Sequence, residues 1–336
     1  MKDLVVPFVD LTPVTRQLMP EINAAISGVL ERGQYLRGRE VAKFEQEWAD
    51  YCGQSYCVTC ASGTDALTLA TMAEGLDRTS IQANTIPLTG IGLARGGCEV
   101  ELIDVGNDGR SMVARKDQVP VLLYGRQPST SEYQAKLFDA AHAHGWQPPS
   151  GATACWSFYP TKTLGALGDA GAITTNNAEV AYRMRNLAGP DDQLRDRTQI
   201  SSRMDELQAA VLRVKLRYLD KWLDERRKIV NLYETELDAD VNLIPEQAEG
   251  FNHLVVLQSG KRDLLQSYLL ENGVQTKVHF PTPLNQLDGP WITGEDQYPG
   301  AERWCACVLS LPCYPGMTRA QVRHVCRLVR IFYQKK

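Results

Sequence analysis

At 336 residues the chain is long enough for one large domain and a smaller one. Lys and Arg total 36 against 40 Asp and Glu, a formal net charge of −4, so no basic nucleic-acid footprint is present. No stretch reaches the roughly 20 apolar residues of a membrane helix.

The opening Met1–Pro7 lacks the apolar core of a secretory signal. The nine cysteines are an odd count scattered through apolar runs, which fits reduced thiols and a cytoplasmic location. Pro20 to Gly33 then carries Ile22, Ile26, Val29 and Leu30 at helical spacing and stops at a glycine. A second amphipathic helix sets Val41, Phe44, Trp48 and Tyr51 on one side. Tyr56–Cys60 reads as a strand; its Cys57 and Cys60 spell C-x-x-C, but no second pair lies at zinc-ribbon spacing and no metal is expected. Ser62-Gly63-Thr64 breaks the strand and opens a helix bearing Ala66, Leu67, Leu69, Ala70 and Met72. A strand, a small-residue turn and a helix N-terminus aim unpaired N–H groups at an anion. An ordinary N-cap uses the same Ser and Thr.

Between residues 80 and 175 short apolar runs alternate with turns, with candidate strands at Glu99–Asp104, Val119–Leu123, Ala135–Asp139, Ala154–Phe158 and Ala172–Thr175. Consecutive parallel strands need a crossover of about a dozen residues or more. Only 14 residues lie between Asp104 and Val119, and 11 between Leu123 and Ala135. The covering helices should therefore be short or absent, leaving a sheet face for a partner. From Arg203, the positions Leu207, Val211, Val214, Tyr218 and Trp222 predict one long helix running through Ile229 and Tyr233. Asp238–Gly250 reads as the connection between a large domain, 1–237, and a smaller α+β domain, 238–336. The latter is expected to hold strands near His253–Leu257, Thr276–Phe280 and Val308–Leu311, and helices at Arg262–Glu271 and Arg319–Tyr333.

One stretch carries chemistry outright. Trp156-Ser157-Phe158-Tyr159-Pro160-Thr161-Lys162 runs into the glycine-rich Leu164-Gly165-Ala166-Leu167-Gly168-Asp169-Ala170-Gly171-Ala172. An ammonium set among Phe158, Tyr159 and Leu164 is poorly solvated, which favours the neutral amine, the form that attacks an aldehyde. Asp139 ends an apolar strand, where a carboxylate is costly unless something pairs with it.

The Ser157–Ala172 segment resembles the cofactor-lysine segment of the DegT/DnrJ/EryC1/StrS family, pyridoxal-phosphate (PLP) sugar aminotransferases. The likeness recurs at Gly33–Gly38, Ser62–Leu67, Ala83-Asn84-Thr85, Leu123-Tyr124-Gly125, Asp139–Gly145, Ser202–Ala210, Val278–Pro281 and Leu309–Pro312. It implies the α/β PLP-transferase fold type I, with a mostly parallel central sheet. It also implies a homodimer whose sites lie at the interface, and transfer of an amino group, expected from L-glutamate, to a nucleotide-linked keto sugar. In that pattern Lys162 binds the cofactor and then shuttles a proton, while Asp139 faces the ring nitrogen. Gly63, Thr64 and Ser157 hold the phosphate. His142 stands where relatives usually have glutamine beside the ring hydroxyl, and a histidine there predicts a stronger pH dependence.

Relatives usually place an aromatic residue that stacks on the cofactor ring where this chain has Ile86, and an asparagine donated from the neighbouring subunit to the cofactor phosphate where it has Ser201. They also carry more chain in both short crossovers. Arg203 and His279 match positions near the substrate; Arg183, Arg185, Arg195 and Arg197 are further guanidinium candidates. Retention of Lys162 argues against the family's dehydratase branch, where histidine replaces the lysine. The competing reading is a trimmed relative that binds cofactor as a regulatory or partner subunit.

Overall fold

The computed structural model describes residues 4–112, 117–189, 200–237, 241–244, 249–294 and 297–334. In chain order the elements are α1 (Thr12–Arg32), α2 (Arg39–Tyr51), β1 (Tyr56–Cys60), α3 (Gly63–Glu74), β2 (Arg78–Gln82), α4 (Pro87–Arg95) and β3 (Glu99–Ile103). Next come β4 (Leu137–Asp139), β5 (Thr153–Ser157), β6 (Gly171–Thr175), α5 (Ala178–Leu187), α6 (Glu206–Leu216) and α7 (Leu219–Glu236). The chain continues through β7 (Asn242–Leu243), β8 (Val255–Gln258), α8 (Arg262–Glu271), β9 (Trp291–Ile292), α9 (Pro299–Cys307), β10 (Val308–Leu311) and α10 (Arg319–Gln334).

The strands run in the orders β1-β6-β5-β4 and β2-β3-β9. Residues 118–122 join the two sets: Val121 pairs with Asp139 and Ser80 with Gln118, both in parallel. In the central sheet only β6 runs antiparallel to its neighbours, so β1, β4 and β5 end at the same edge. One face buries α3, α4 and α5, and the other buries the apolar sides of α1, α2 and α6. A third core gathers α7, α8 and α10 over the antiparallel sheet β10-β8-β7. The C-terminal chain also reaches back, for β9 pairs with β3, and Trp291 and Trp304 belong to the first core.

Several sequence expectations are corrected. The first helix starts at Thr12, not Pro20, because Pro13 fits the first turn and Leu18 is anchored in the core. The long helix expected from Arg203 breaks at 217–218, where Arg217 and the Tyr218 hydroxyl both turn to Glu21 of α1. Thr276–Phe280 forms no strand; Lys277 alone pairs with Ser310, while the Tyr124 hydroxyl takes the His279 carbonyl.

Among the described residues the short crossovers hold no α-helix, only the 3-10 turns Leu123–Gly125 and Glu132–Gln134 in the second. They leave no bare sheet face among the described residues, since 118–126 and 137–140 are all buried. Trp146 packs tilted against Phe138 at 4.8 Å, and Trp304 stacks on Tyr124 at 6.5 Å. At Gly125 (φ 83°) an added side-chain carbon would lie within 2.9 Å of both the His142 carbonyl and the His253 amide nitrogen. The chain from the third core is thereby pressed onto the trimmed region. The connection expected at Asp238–Gly250 lies largely outside the described residues.

Candidate active site

Four segments meet where β1, β4 and β5 end, the edge at which open α/β sheets bind ligands. They enclose a cavity of about 330 Å³ walled by Ser62–Thr64, Ile86, Thr89, Asp139, Ser157 and Lys162. The β1–α3 turn reaches it only because of glycine. A side-chain carbon on Gly63 would lie 2.7 Å from Ser157 Cβ, and one on Gly171 2.3 Å from the Ser62 carbonyl oxygen. Ser62 caps α3, its Oγ accepting from the Asp65 amide at 3.1 Å and its carbonyl from the Ala66 amide at 2.9 Å. The N–H groups of Gly63 and Thr64 fall in the first turn, which has no intrahelical acceptors for them. With Ser157 they form a small anion cup at the helix's positive end.

Asp139, the last residue of β4, is 6% exposed. Its Oδ2 accepts from Thr89 Oγ1 at 2.8 Å and its Oδ1 from the Ala141 amide at 3.1 Å. Burial raises its pKa, against the Thr89 hydroxyl, the Ala141 amide and the positive charge of Lys162. Each oxygen keeps a further lone pair for a cationic N–H. Burial brings the Lys162 amine down to about 8, while the nearby Asp139 carboxylate resists the fall. A substantial share of that amine is therefore neutral near pH 8.

Four of the chain's five histidines lie close enough to Lys162 to feel its charge. The Tyr124 amide, on a backbone with φ 64°, donates to His142 Nδ1 at 3.2 Å. The neutral ring consequently carries its proton on Nε2 and acts there as a donor. His253 lies against His142 at 4.4 Å. Burial first, then the Lys162 charge, holds His142 well below its ordinary value and favours the neutral ring, which works against the stronger pH dependence expected of a histidine here. His279 Nδ1 shares a hydrogen bond of 2.9 Å with Ser310 Oγ, and burial first, then Lys162 and Lys277, lowers its pKa to about 4.

These residues fit PLP. The cup suits a phosphate, the buried carboxylate has capacity for a pyridinium N–H, and an easily neutralised amine shares their cavity. Ile86 forms part of the wall. Ser201 and Arg203 are not brought to this cavity. Both are exposed, Arg203 donates to Ser201 Oγ at 2.9 Å, and Arg203 lines a separate groove of about 450 Å³ with Arg37 and Tyr182. Arg183 and Arg185 are engaged by Glu179 and Glu45, and Arg195 and Arg197 lie outside the described residues. The C-x-x-C cysteines are buried core thiols of β1, and no metal-binding cluster occurs among the described residues.

Thr89, His253 and Ser202 were missed from the sequence. Ser202 is buried between the two exposed residues; it donates to Asp65 Oδ2 at 2.7 Å and accepts from the Ala61 amide at 3.0 Å. The alternation around it was a usable signal for an extended segment tied down at its middle. Tyr124 stood in a recognised motif without an assigned role.

A model of the DegT/DnrJ/EryC1/StrS aminotransferase family matches residues 16–89 and 131–330, passing over the region of the trimmed crossovers. The "Erythromycin biosynthesis sensory transduction protein EryC1" of Saccharopolyspora erythraea is 36% identical, over 95% of this chain and 97% of its own length. That alignment runs over 356 positions, more than this chain's 336 residues, as insertions in the relative require. The "dTDP-3-amino-3,4,6-trideoxy-alpha-D-glucose transaminase" of Streptomyces venezuelae is 32% identical, over 97% of this chain and 95% of its own. The crystal structure of S. venezuelae DesV superposes with a TM-score of 0.90 at 30% identity, covering 99% of each chain.

Proposed function

This chain belongs to the DegT/DnrJ/EryC1/StrS aminotransferase family, PLP-dependent enzymes of fold type I, and from that premise we propose that it moves an amino group from L-glutamate to a nucleotide-linked keto sugar. The observation that carries the reading is the single cavity shared by Lys162, Asp139 and the Ser62–Thr64 turn. The curated relatives support the substrate class, among them a dTDP-sugar transaminase.

PLP, when bound, supplies the electron sink that lets the donor's Cα–H bond break. The chain's part is to bind, orient and move protons. Gly63 and Thr64 amides with Ser157 Oγ hold the phosphate, and Ile86 packs on the ring. Asp139 keeps the ring nitrogen protonated, with Thr89 fixing the carboxylate's orientation. His142 Nε2–H donates to the ring hydroxyl, and Lys162 Nζ is the base for the donor's Cα proton. His279 and Arg203 are proposed for the sugar nucleotide, Arg203 and Ser201 acting on the neighbouring subunit of a homodimer. We place the enzyme in the cytoplasm and the division between its two domains at 237/238. No helix among the described residues is long and apolar enough to cross a membrane.

A second reading, a cofactor-binding partner subunit, draws on the sensory-transduction name of the S. erythraea relative and on Ile86 and Ser201. The paired Lys162 and Asp139 favour the enzyme. The test is a panel of dTDP- and UDP-linked keto hexoses with L-glutamate, following 2-oxoglutarate. We expect turnover with at least one sugar nucleotide. Turnover of simple keto acids with none of the sugars would overturn the substrate class.

A further inference from the structure

The backbone that follows Lys162 belongs to no helix or strand. It folds back sharply: the Ala166 amide donates to the Phe158 carbonyl at 2.8 Å, and a side-chain carbon on Gly165 would lie 2.3 Å from the Pro160 carbonyl oxygen. Three of its polar backbone groups are satisfied by side chains from elsewhere. The Leu164 amide donates to His144 Nδ1 at 2.9 Å, and the Leu167 amide to Gln208 Oε1 at 2.8 Å. The Gly165 carbonyl accepts from Lys215 Nζ at 2.6 Å.

Gln208 and Lys215 both sit on α6, seven residues apart and so on one face of the helix. Lys215 is 7% exposed, and no carboxylate pairs with it among the described residues. A buried ammonium is costly, and a carbonyl acceptor is the group that offsets the cost here. The helix carrying it is itself fixed: the Glu206 carboxylate accepts from the Gly38, Glu40 and Val41 amides at 2.9, 2.8 and 2.9 Å, capping α2. Lys215 does not line the cofactor cavity.

We propose that Lys215 is a positioning residue for Lys162: through the Gly165 carbonyl, α6 fixes the turn that aims the Lys162 amine into the cavity. This rests on the reading of Lys162 as the cofactor lysine. Lys215 touches no reacting atom and acts by holding the backbone three residues on. A misplacement of about 1 Å at a reacting group can cost on the order of a hundredfold in rate, so a loosened turn is visible kinetically.

The experiment compares wild type, Lys215→Met and Lys215→Gln. PLP is added to cofactor-free protein, borohydride fixes it, and peptide mass spectrometry locates the label. Amide exchange of peptides spanning 158–170 is followed without cofactor. We expect the label on Lys162 in all three proteins. In Lys215→Met, incorporation should slow about tenfold or more, and the 158–170 amides should exchange about tenfold faster. Elsewhere exchange should be unchanged, and KM for the amino donor should stay within about twofold. Lys215→Gln keeps an N–H donor and should fall between the two, and if Lys215→Met fails to fold it carries the comparison, with a slowing of about threefold expected. Wild-type incorporation and wild-type exchange in the folded variant would overturn the positioning role. A wild-type label on another lysine, Lys215 included, would instead overturn the reading of Lys162.

Discussion

The Lys162 cavity and the Ser201–Arg203 segment are separated by little more than the β1–α3 turn, yet they are built on opposite terms. In the cavity, Asp139, Lys162 and the cup all come from one chain, and Asp139 is held there by Thr89 and the Ala141 amide. In the segment, Ser202 is buried and bound to Ala61 and Asp65, while Ser201 and Arg203 on either side stand exposed. The first region gathers its lining from a single chain. The second is anchored firmly to that chain but presents Ser201 and Arg203 outward, the arrangement expected if they serve another subunit's site.

The comparison is broken most severely at Asp139. Asp139→Asn should retain PLP yet lose about a hundredfold or more in turnover, because the ring nitrogen is no longer held protonated. Unchanged kcat in the variant would make this carboxylate structural. Mixing chains probes the other region. Lys162→Ala and Arg203→Ala proteins, each weakly active alone, should regain roughly a quarter of wild-type activity after joint refolding. Half of the random dimers are then mixed, each with one site of two intact. If the mixture stays as inactive as its parents, Arg203 serves its own chain and the contrast between the regions is lost.

A smaller effect is expected at Ile86, which lines the cavity with Leu67 and Leu88. Ile86→Phe adds aromatic contact of about 1 kcal/mol, so cofactor loss on dilution should slow about fivefold. A rate no slower than wild type would show that Ile86 does not face the ring. A separate change is expected with acid. His144 and His279 are lowered to about 3 and about 4, and His142 and His253 well below 6.5. The unfolded chain therefore binds more protons than the folded one below about pH 6.5, and stability falls as pH drops through that range. Tm of the cofactor-free protein should decline from about pH 6.5 downward. A flat Tm down to pH 5 would mean that these imidazoles are charged in the fold.

The sequence made the cavity legible and much of its frame illegible, for physical reasons. Lys162, Asp139 and Ser157 sit in runs whose residue types are dictated by chemistry, and the fold brings them to one cavity. β2 and α4 went unread because Gly90 and Gly92 lie inside the helix and Gly96 caps it, and glycine argues against helix. The structure shows their use: side-chain carbons there would lie 2.9 Å from the Trp291 ring, 2.8 Å from the Thr64 carbonyl and 2.6 Å from Thr71 Cβ. Close packing of α4 on α3 and β9 overrides propensity and brings Thr89 to Asp139. The break between α6 and α7 was equally hidden, since apolar spacing runs through it and only Glu21, nearly 200 residues away, turns Arg217 and Tyr218 aside. Glu206 and Gln208 stood inside a recognised motif, but their work on the α2 amides and the Lys162 loop depends on contacts across the fold.

The central claim is that one chain's cavity is equipped for the donor half of transamination without any sugar. It is tested by adding L-glutamate alone to the PLP-loaded protein, with Lys162→Ala as control. We expect one equivalent of 2-oxoglutarate per Lys162, with loss of the visible absorption, and neither in the control. If neither L-glutamate nor any other common amino acid releases its keto acid from protein whose cofactor is bound at Lys162, the aminotransferase reading fails, and the cofactor-binding subunit takes its place.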